Sequence, residues 1–259
     1  MASSAWEPRP PSSTPSWVTQ VMAIPSLLNI FLVCVAPSLF WLGYWYYRGH
    51  LGKRRWRPIW AFFASGILAG PLALLLFEAV ELSPFYEQLA AIDEMPEVEK
   101  FAYAIFAIGP IEEMAKFLVA WACMHFLAGE LDIRAGGMVY AAAAALGFAT
   151  IENWYYMLAV DEVLWHRALT LPFNHVLFSS FWGVGLSLYT ARGNHGLVWL
   201  IAGLILAFVY HGLYDFILLS NEIPNIAVLP LILALWLWLV TAIPRLRRTL
   251  SPPTKRATP

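Results

Sequence analysis

Polarity along the chain changes on a long wavelength. Apolar stretches near residues 22–47, 58–80, 101–127, 135–160, 168–190, 196–219 and 225–243 alternate with short polar connections. A membrane-spanning helix needs about 20 mostly apolar residues, so the pattern predicts about seven transmembrane helices. The fold class expected is all-α, a polytopic membrane helical bundle. Residues 1–20, rich in Ser and Pro, read as a disordered N-terminal tail. Residues 21–244 read as one transmembrane domain with its catalytic core at 101–219, and residues 245–259 as a basic cytoplasmic tail. The first apolar run, from Trp17 to Tyr47, is too long for a secretory signal and lacks its basic flank, so it reads as a retained helix.

Composition supports lipid as the solvent. The chain is 60% hydrophobic and 13% charged, against about 25% charged residues in ordinary soluble domains. Cys34 and Cys123 lie far apart in apolar runs and form neither a metal motif nor a disulfide framework. A net charge of −1 excludes a nucleic-acid surface as a main feature. Basic residues set the orientation. Arg48, Lys53, Arg54, Arg55, Arg57, Arg134, Arg192, Arg245, Arg247, Arg248, Lys255 and Arg256 fall on one side of the seven-span arrangement. Arg9, Lys100 and Arg167 fall on the other. The N-terminus is therefore expected outside and the C-terminus in the cytoplasm of a cell (inner) membrane protein. The acids Glu87, Asp93, Glu94, Glu97 and Glu99 then read as a solvated outer loop.

Within the apolar stretches a few ionisable residues stand out. The third carries Gly109-Pro110-Ile111-Glu112-Glu113-Met114-Ala115-Lys116 and the fourth Phe148-Ala149-Thr150-Ile151-Glu152-Asn153. The fifth carries His175 with Ser179 four residues on, and the sixth His211 with Asp215. A charge at a helix centre costs about 2.5–3.5 kcal/mol on insertion scales. These groups must therefore face the bundle interior or a wet cavity. Glu112 lies about 16 Å below the outer face at 1.5 Å per residue, and Glu152, His175 and His211 fall in the same layer. Four helices of alternating direction thus bring polar groups to one depth, the outer half of the bilayer.

Spacing adds chemistry. His211 and Asp215 share a helix face, where a carboxylate can hold an imidazole in one tautomer. Glu112 and Lys116 share another, so the lysine is expected to neutralise Glu112 and leave Glu113 to face a different helix. Two adjacent carboxylates in a low-dielectric interior should not both ionise readily, and a glutamate tuned toward neutrality suits general-base work on water. Pro110 is expected to loosen the helix just before them. Gly136, Gly137, the run from Ala141 to Ala145, Gly147 and Ala149 mark the fourth span as a close-packed central helix.

Taken in order, Glu112-Glu113-x-x-Lys116, Phe148-x-x-x-Glu152-Asn153, His175-x-x-x-Ser179 and His211-x-x-x-Asp215 resemble the motifs of the PrsW family of intramembrane proteases. That family is related to the prenyl-protein (CAAX) endopeptidases and bacteriocin-processing enzymes. The resemblance covers residues 109–216 and implies hydrolysis of a peptide bond in a membrane-anchored protein, such as an anti-sigma-type regulator, at an extracytoplasmic site. It implies Glu112 and Glu113 as the water-activating pair and His175 and His211 as their catalytic partners. Lys116, Glu152, Asn153 and Asp215 are supporting residues. Prenyl-protein members carry Arg one position after Lys116 and His in place of Glu152, which points away from prenylated substrates. Two mechanisms follow. In one, a glutamate deprotonates water while His175, His211 or Asn153 stabilises the oxyanion. In the other, His175, His211 and a carboxylate such as Glu152 bind Zn²⁺, with a glutamate as base. The alternative class is a proton- or ion-coupled transporter, since buried Glu and His also mark proton relays. It would move solute across sealed vesicles without cleaving peptides.

Overall fold

The computed structural model describes residues 27–49, 56–82, 92–131, 133–159 and 165–250. The expected N-terminal tail, Glu87 of the outer loop and residues 251–259 of the basic tail lie outside these. Every long element among the described residues is helical. These are α1 (27–49), α2 (Trp56–Glu81), α3 (97–126), α4 (Ile133–Ala159), α5 (Trp165–Arg192), α6 (Leu197–Leu219) and α7 (Val228–Leu250). Single 3₁₀ turns occur at Ile92–Glu94, Gly193–Gly196 and Asn225–Ala227.

The stretches Leu27–Tyr47, Trp56–Val80, Trp165–Leu219 and Asn225–Ala242 are long and apolar enough to cross a membrane. The third of them covers both α5 and α6. The remaining long helices, α3 and α4, are the ones that carry Glu112, Glu113 and Lys116, and the Ala/Gly run with Glu152. Large side chains such as Phe40, Leu68, Phe106, Phe126 and Leu229 are exposed around the bundle, as a lipid-facing rim requires.

At the centre is α4, packed against α2 on one side and α5 on the other, while α6 packs against α5 and α3. Ala141 to Ala145 are all buried. A side chain at Gly147 would strike the Phe63 carbonyl of α2, and one at Gly66 the Ala144 carbonyl of α4. The two backbones touch because neither carries a Cβ there. The same device joins α3 to α6. A Cβ on Gly109 would lie 2.8 Å from the Gly212 nitrogen, and one on Gly212 would lie 2.8 Å from the Ile105 Cα. This contact sets His211, next to Gly212, against the Glu112-Glu113 turn.

The loosening expected around Pro110 takes a definite form. Residues Ala104–Ile108 make a π turn directly before Gly109-Pro110, with the Gly109 N–H bonded to the Ala104 carbonyl. Proline has no N–H and crowds the preceding turn. One widened turn absorbs both effects and rotates the Glu112-Glu113 face relative to the start of α3.

The start of α3 also differs from expectation. The helix begins at Glu97, and Glu97 is anchored where a solvated loop acid was expected. It accepts hydrogen bonds from Ser220 Oγ at 2.6 Å and the Asn221 N–H at 3.0 Å, beyond the end of α6. Lys100, expected in a polar loop, is buried with its ammonium 3.5 Å from Glu97. The Ser220 and Asn221 hydrogen bonds hold the Glu97 carboxyl below its ordinary value. A lowered carboxyl value contributes stability above the unfolded value, about 4.3, and that contribution is lost as pH falls through the folded value.

Two outcomes are expected. Gly212→Val should wedge α6 from α3 and lower stability by about 1–3 kcal/mol, read as a drop in Tm in detergent with loss of activity. The thermal stability of wild type should fall on acidification below about pH 4, and Glu97→Gln should flatten that acid limb.

Candidate active site

Glu113 is completely enclosed and its carboxylate is saturated. Oε1 accepts from Lys116 Nζ at 2.8 Å and from His211 Nδ1 at 3.1 Å. Oε2 accepts from Ser179 Oγ at 2.7 Å and from the Trp182 indole N–H at 3.0 Å. One side chain of α3 thereby binds α5 and α6. Ser179, which stands one turn after His175 in the sequence motif, is a donor to this carboxylate.

Lys116 lies closer to Glu113 than to Glu112, at 2.8 Å against 3.5 Å. The expected pairing with Glu112 is present, and Glu113 is the nearer of two carboxylate partners. The long stem folds back toward the dry interior, where an unpaired carboxylate would be most costly. The ammonium also reaches His175 Nδ1 at 2.8 Å and sits 4.0 Å above the Phe148 ring. Lysine only donates, so Nδ1 of His175 accepts and Nε2 carries the proton, which it donates to Glu152 Oε2 at 2.6 Å. Glu152 is held from the other side by Arg167 of α5. The Arg167 guanidinium lies over Tyr156 at 3.4 Å.

The second glutamate behaves differently. Glu112 lines a small cavity of about 120 Å³ whose wall also includes Glu152, Arg167, His175, His211, Tyr214 and Asp215. His211 gives its Nδ1–H to Glu113 and turns Nε2 toward the cavity, 3.5 Å from Glu112 and 3.4 Å from Asp215. Phe178 stacks on the His211 ring at 4.6 Å and fixes its plane. Glu112, His175, His211, Glu152 and Asp215 are thus brought to one pocket, with Lys116 and Glu113 directly behind it. Asn153 stands apart. It is buried against α1 and donates to the Val33 carbonyl at 3.4 Å, a carbonyl in the π turn Phe31–Val35.

Sequence reasoning missed Arg167, Tyr156 and Trp182. Arg167 was counted among loop charges because the helix was expected to begin after it. Trp182 was lost among the aromatic residues of an apolar span. The Glu-Arg pairing crosses from α4 to α5 and has no local spacing to reveal it.

The membrane helical bundle gathers carboxylates and imidazoles around a cavity of about 120 Å³, a setting in which water chemistry inside the membrane is possible. Residues 54–243 match the family described as PrsW family intramembrane metalloprotease. The chain belongs to this family and is an intramembrane peptidase. It is 28% identical over 223 residues to the protein named Protease PrsW of Oceanobacillus iheyensis, covering 86% of this chain and 96% of that one. It is 30% identical over 213 residues to Protease PrsW of Geobacillus kaustophilus, covering 81% and 88%. Against Protease PrsW of Bacillus subtilis it is 28% identical over 207 residues, covering 78% and 88%. No solved structure matches the chain. The transporter alternative finds no support among these relatives.

The family description implies a metal ion. Ligand atoms of Glu112, His175 and His211 lie within 4.8 Å of one another. One carboxylate and two imidazoles are a known donor set for catalytic zinc. His211 suits the role, since its far nitrogen is backed by Glu113 as a metal-bound imidazole requires. His175 has both ring nitrogens engaged, so it would exchange its Glu152 contact for the ion. The trio fits zinc in kind and proximity on that condition. Glu152, a candidate ligand in the sequence, is occupied by His175 and Arg167.

Removing the Glu113 carboxylate should leave Lys116 as a buried unpaired charge. Glu113→Ala is therefore expected to cost about 3–5 kcal/mol of stability, read by thermal unfolding in detergent. The double variant Glu113→Leu, Lys116→Met should recover a large part of that loss without recovering activity.

Proposed function

We propose that the chain spans the cell membrane seven times, N-terminus outside, and cuts a membrane-anchored protein substrate in the outer half of the bilayer. Glu112 activates the attacking water. The observation that carries this is the division between the adjacent glutamates. Glu112 faces the cavity, whereas every lone-pair direction of Glu113 is already taken by a donor.

The expected sequence of events uses the chain's own groups. A substrate segment unwinds at the cavity, because a peptide bond in a helix is sterically and electronically shielded. Glu112 takes a proton from a water held between it and His211 Nε2, and the hydroxide attacks the scissile carbonyl. A doubly protonated His211, with Nδ1–H given to Glu113, offers its Nε2–H to the developing oxyanion, while the Nε2–H of His175 stays with Glu152. The proton returns from Glu112 to the leaving amine. Asp215 and Glu113 hold the His211 ring in orientation from its two nitrogens, and Lys116 does the same for His175. A zinc ion, if the enzyme carries one, would be held by Glu112, His175 and His211 and would acidify its bound water and polarise the carbonyl.

The test pairs a cleavage assay on a single-span peptide with metal analysis of the purified protein. Glu112→Gln should lower kcat by about 10²–10⁴-fold with little change in Tm. Activity that persists under strict chelation with no bound zinc assigns Glu112 as the base. Activity that tracks zinc content assigns it as a ligand. Full activity in Glu112→Gln would remove the proposal in both forms.

A further inference from the structure

Arg167 is the one guanidinium among the described residues of the cavity wall, and its contacts leave donors unused. It lies in the first turn of α5, with a side chain only 17% exposed. One Nη pairs with Glu152. The flat face covers Tyr156. Its Nε–H is buried and has no hydrogen-bond partner among the described residues. A buried, unmade hydrogen bond is costly, and such a group in a site is commonly completed by a ligand.

The neighbours decide which ligand. Glu112, Glu152 and Asp215 share the cavity with Arg167. A carboxylate on the substrate would meet these acids as like charges. A neutral oxygen acceptor meets no such penalty. The substrate of an intramembrane peptidase offers such acceptors as soon as it unwinds. Its main-chain carbonyls lose their helical partners in a medium with no water to replace them. A fixed, planar fork of N–H donors matches that need better than a mobile ammonium.

We propose that Arg167 is a substrate-binding residue that receives a main-chain carbonyl oxygen of the unwound substrate segment and so holds the peptide bond over Glu112. Glu152 and Tyr156 fix the guanidinium from its edge and its face. No covalent step is involved. The inference rests on the cavity being the active site, as proposed above.

The test uses the full chain in detergent and one synthetic single-span peptide that wild type cleaves, with fluorophore and quencher flanking its outer juxtamembrane segment. Arg167→Lys keeps the charge opposite Glu152 and removes the Nε–H and the fork. It should raise KM by about tenfold and leave kcat within about threefold of wild type. A scan of ester-for-amide substitutions along the peptide supplies a readout that a purely structural role does not move, since an ester carbonyl is a weaker acceptor. One position should cost wild type several-fold in KM and cost Arg167→Lys nothing. An unchanged KM, an effect confined to kcat, or identical ester penalties in both enzymes would overturn the assignment. Glu112→Gln assayed alongside keeps the two readings separate. If that variant is inactive, the active-site assignment stands however Arg167 behaves. If it is fully active, the site itself is misassigned.

Discussion

A carboxylate sealed inside a membrane bundle has to be neutralised on the spot, and Glu113 shows how this chain does it. Its oxygens accept hydrogen bonds from Lys116 on its own helix, from Ser179 and Trp182 on α5 and from His211 on α6. Each bond satisfies a group that would otherwise be stranded in apolar surroundings. The resulting knot joins three helices at one point. Because Lys116 also reaches His175, both imidazoles of the site are oriented by partners that trace back to Glu113. The polar layer is therefore a consequence of charge compensation between helices.

That knot forms only where backbones can approach. Gly109 and Gly212 let α3 and α6 touch, and Gly66 and Gly147 do so for α2 and α4. In lipid there is no hydrophobic drive between helices, so close van der Waals contact at small residues carries much of the association. The π turn before Pro110 tunes the same contact by changing the rotation of α3. Packing and polarity are thus coupled: widening the glycine contact would lengthen the hydrogen bonds of Glu113, and removing Glu113 would leave charges that the tight packing cannot accommodate.

The two adjacent glutamates illustrate how one turn of helix can supply two kinds of carboxylate. A rotation of about 100° between successive residues is enough to put Glu113 in a dry, saturated setting and Glu112 at the wall of a cavity. The enzyme family to which the chain belongs acts inside membranes, where water must be admitted to a small volume without opening the bundle. A cavity of about 120 Å³ lined by Glu112, His211 and Asp215 meets that requirement. Around it, Arg167 and Glu152 close the polar circuit between α4 and α5.

The sequence by itself determined the all-helical membrane class, since long apolar runs leave no other way to satisfy the backbone in lipid. It also determined which residues are polar at one depth, because the rise of a helix is fixed and the runs are countable. It resolved pairings within a helix, such as His211 with Asp215, which depend on spacing alone. Only the tertiary structure decided which of Glu112 and Glu113 meets the cavity, because a π turn shifts the helix face by an amount the pattern does not encode. It decided that Lys116 serves Glu113 and His175, that Asn153 turns away to α1, and that Arg167 meets Glu152. Those contacts join residues distant in the chain, and their choice follows from how closely neighbouring helices pack and from where a buried charge finds its nearest opposite.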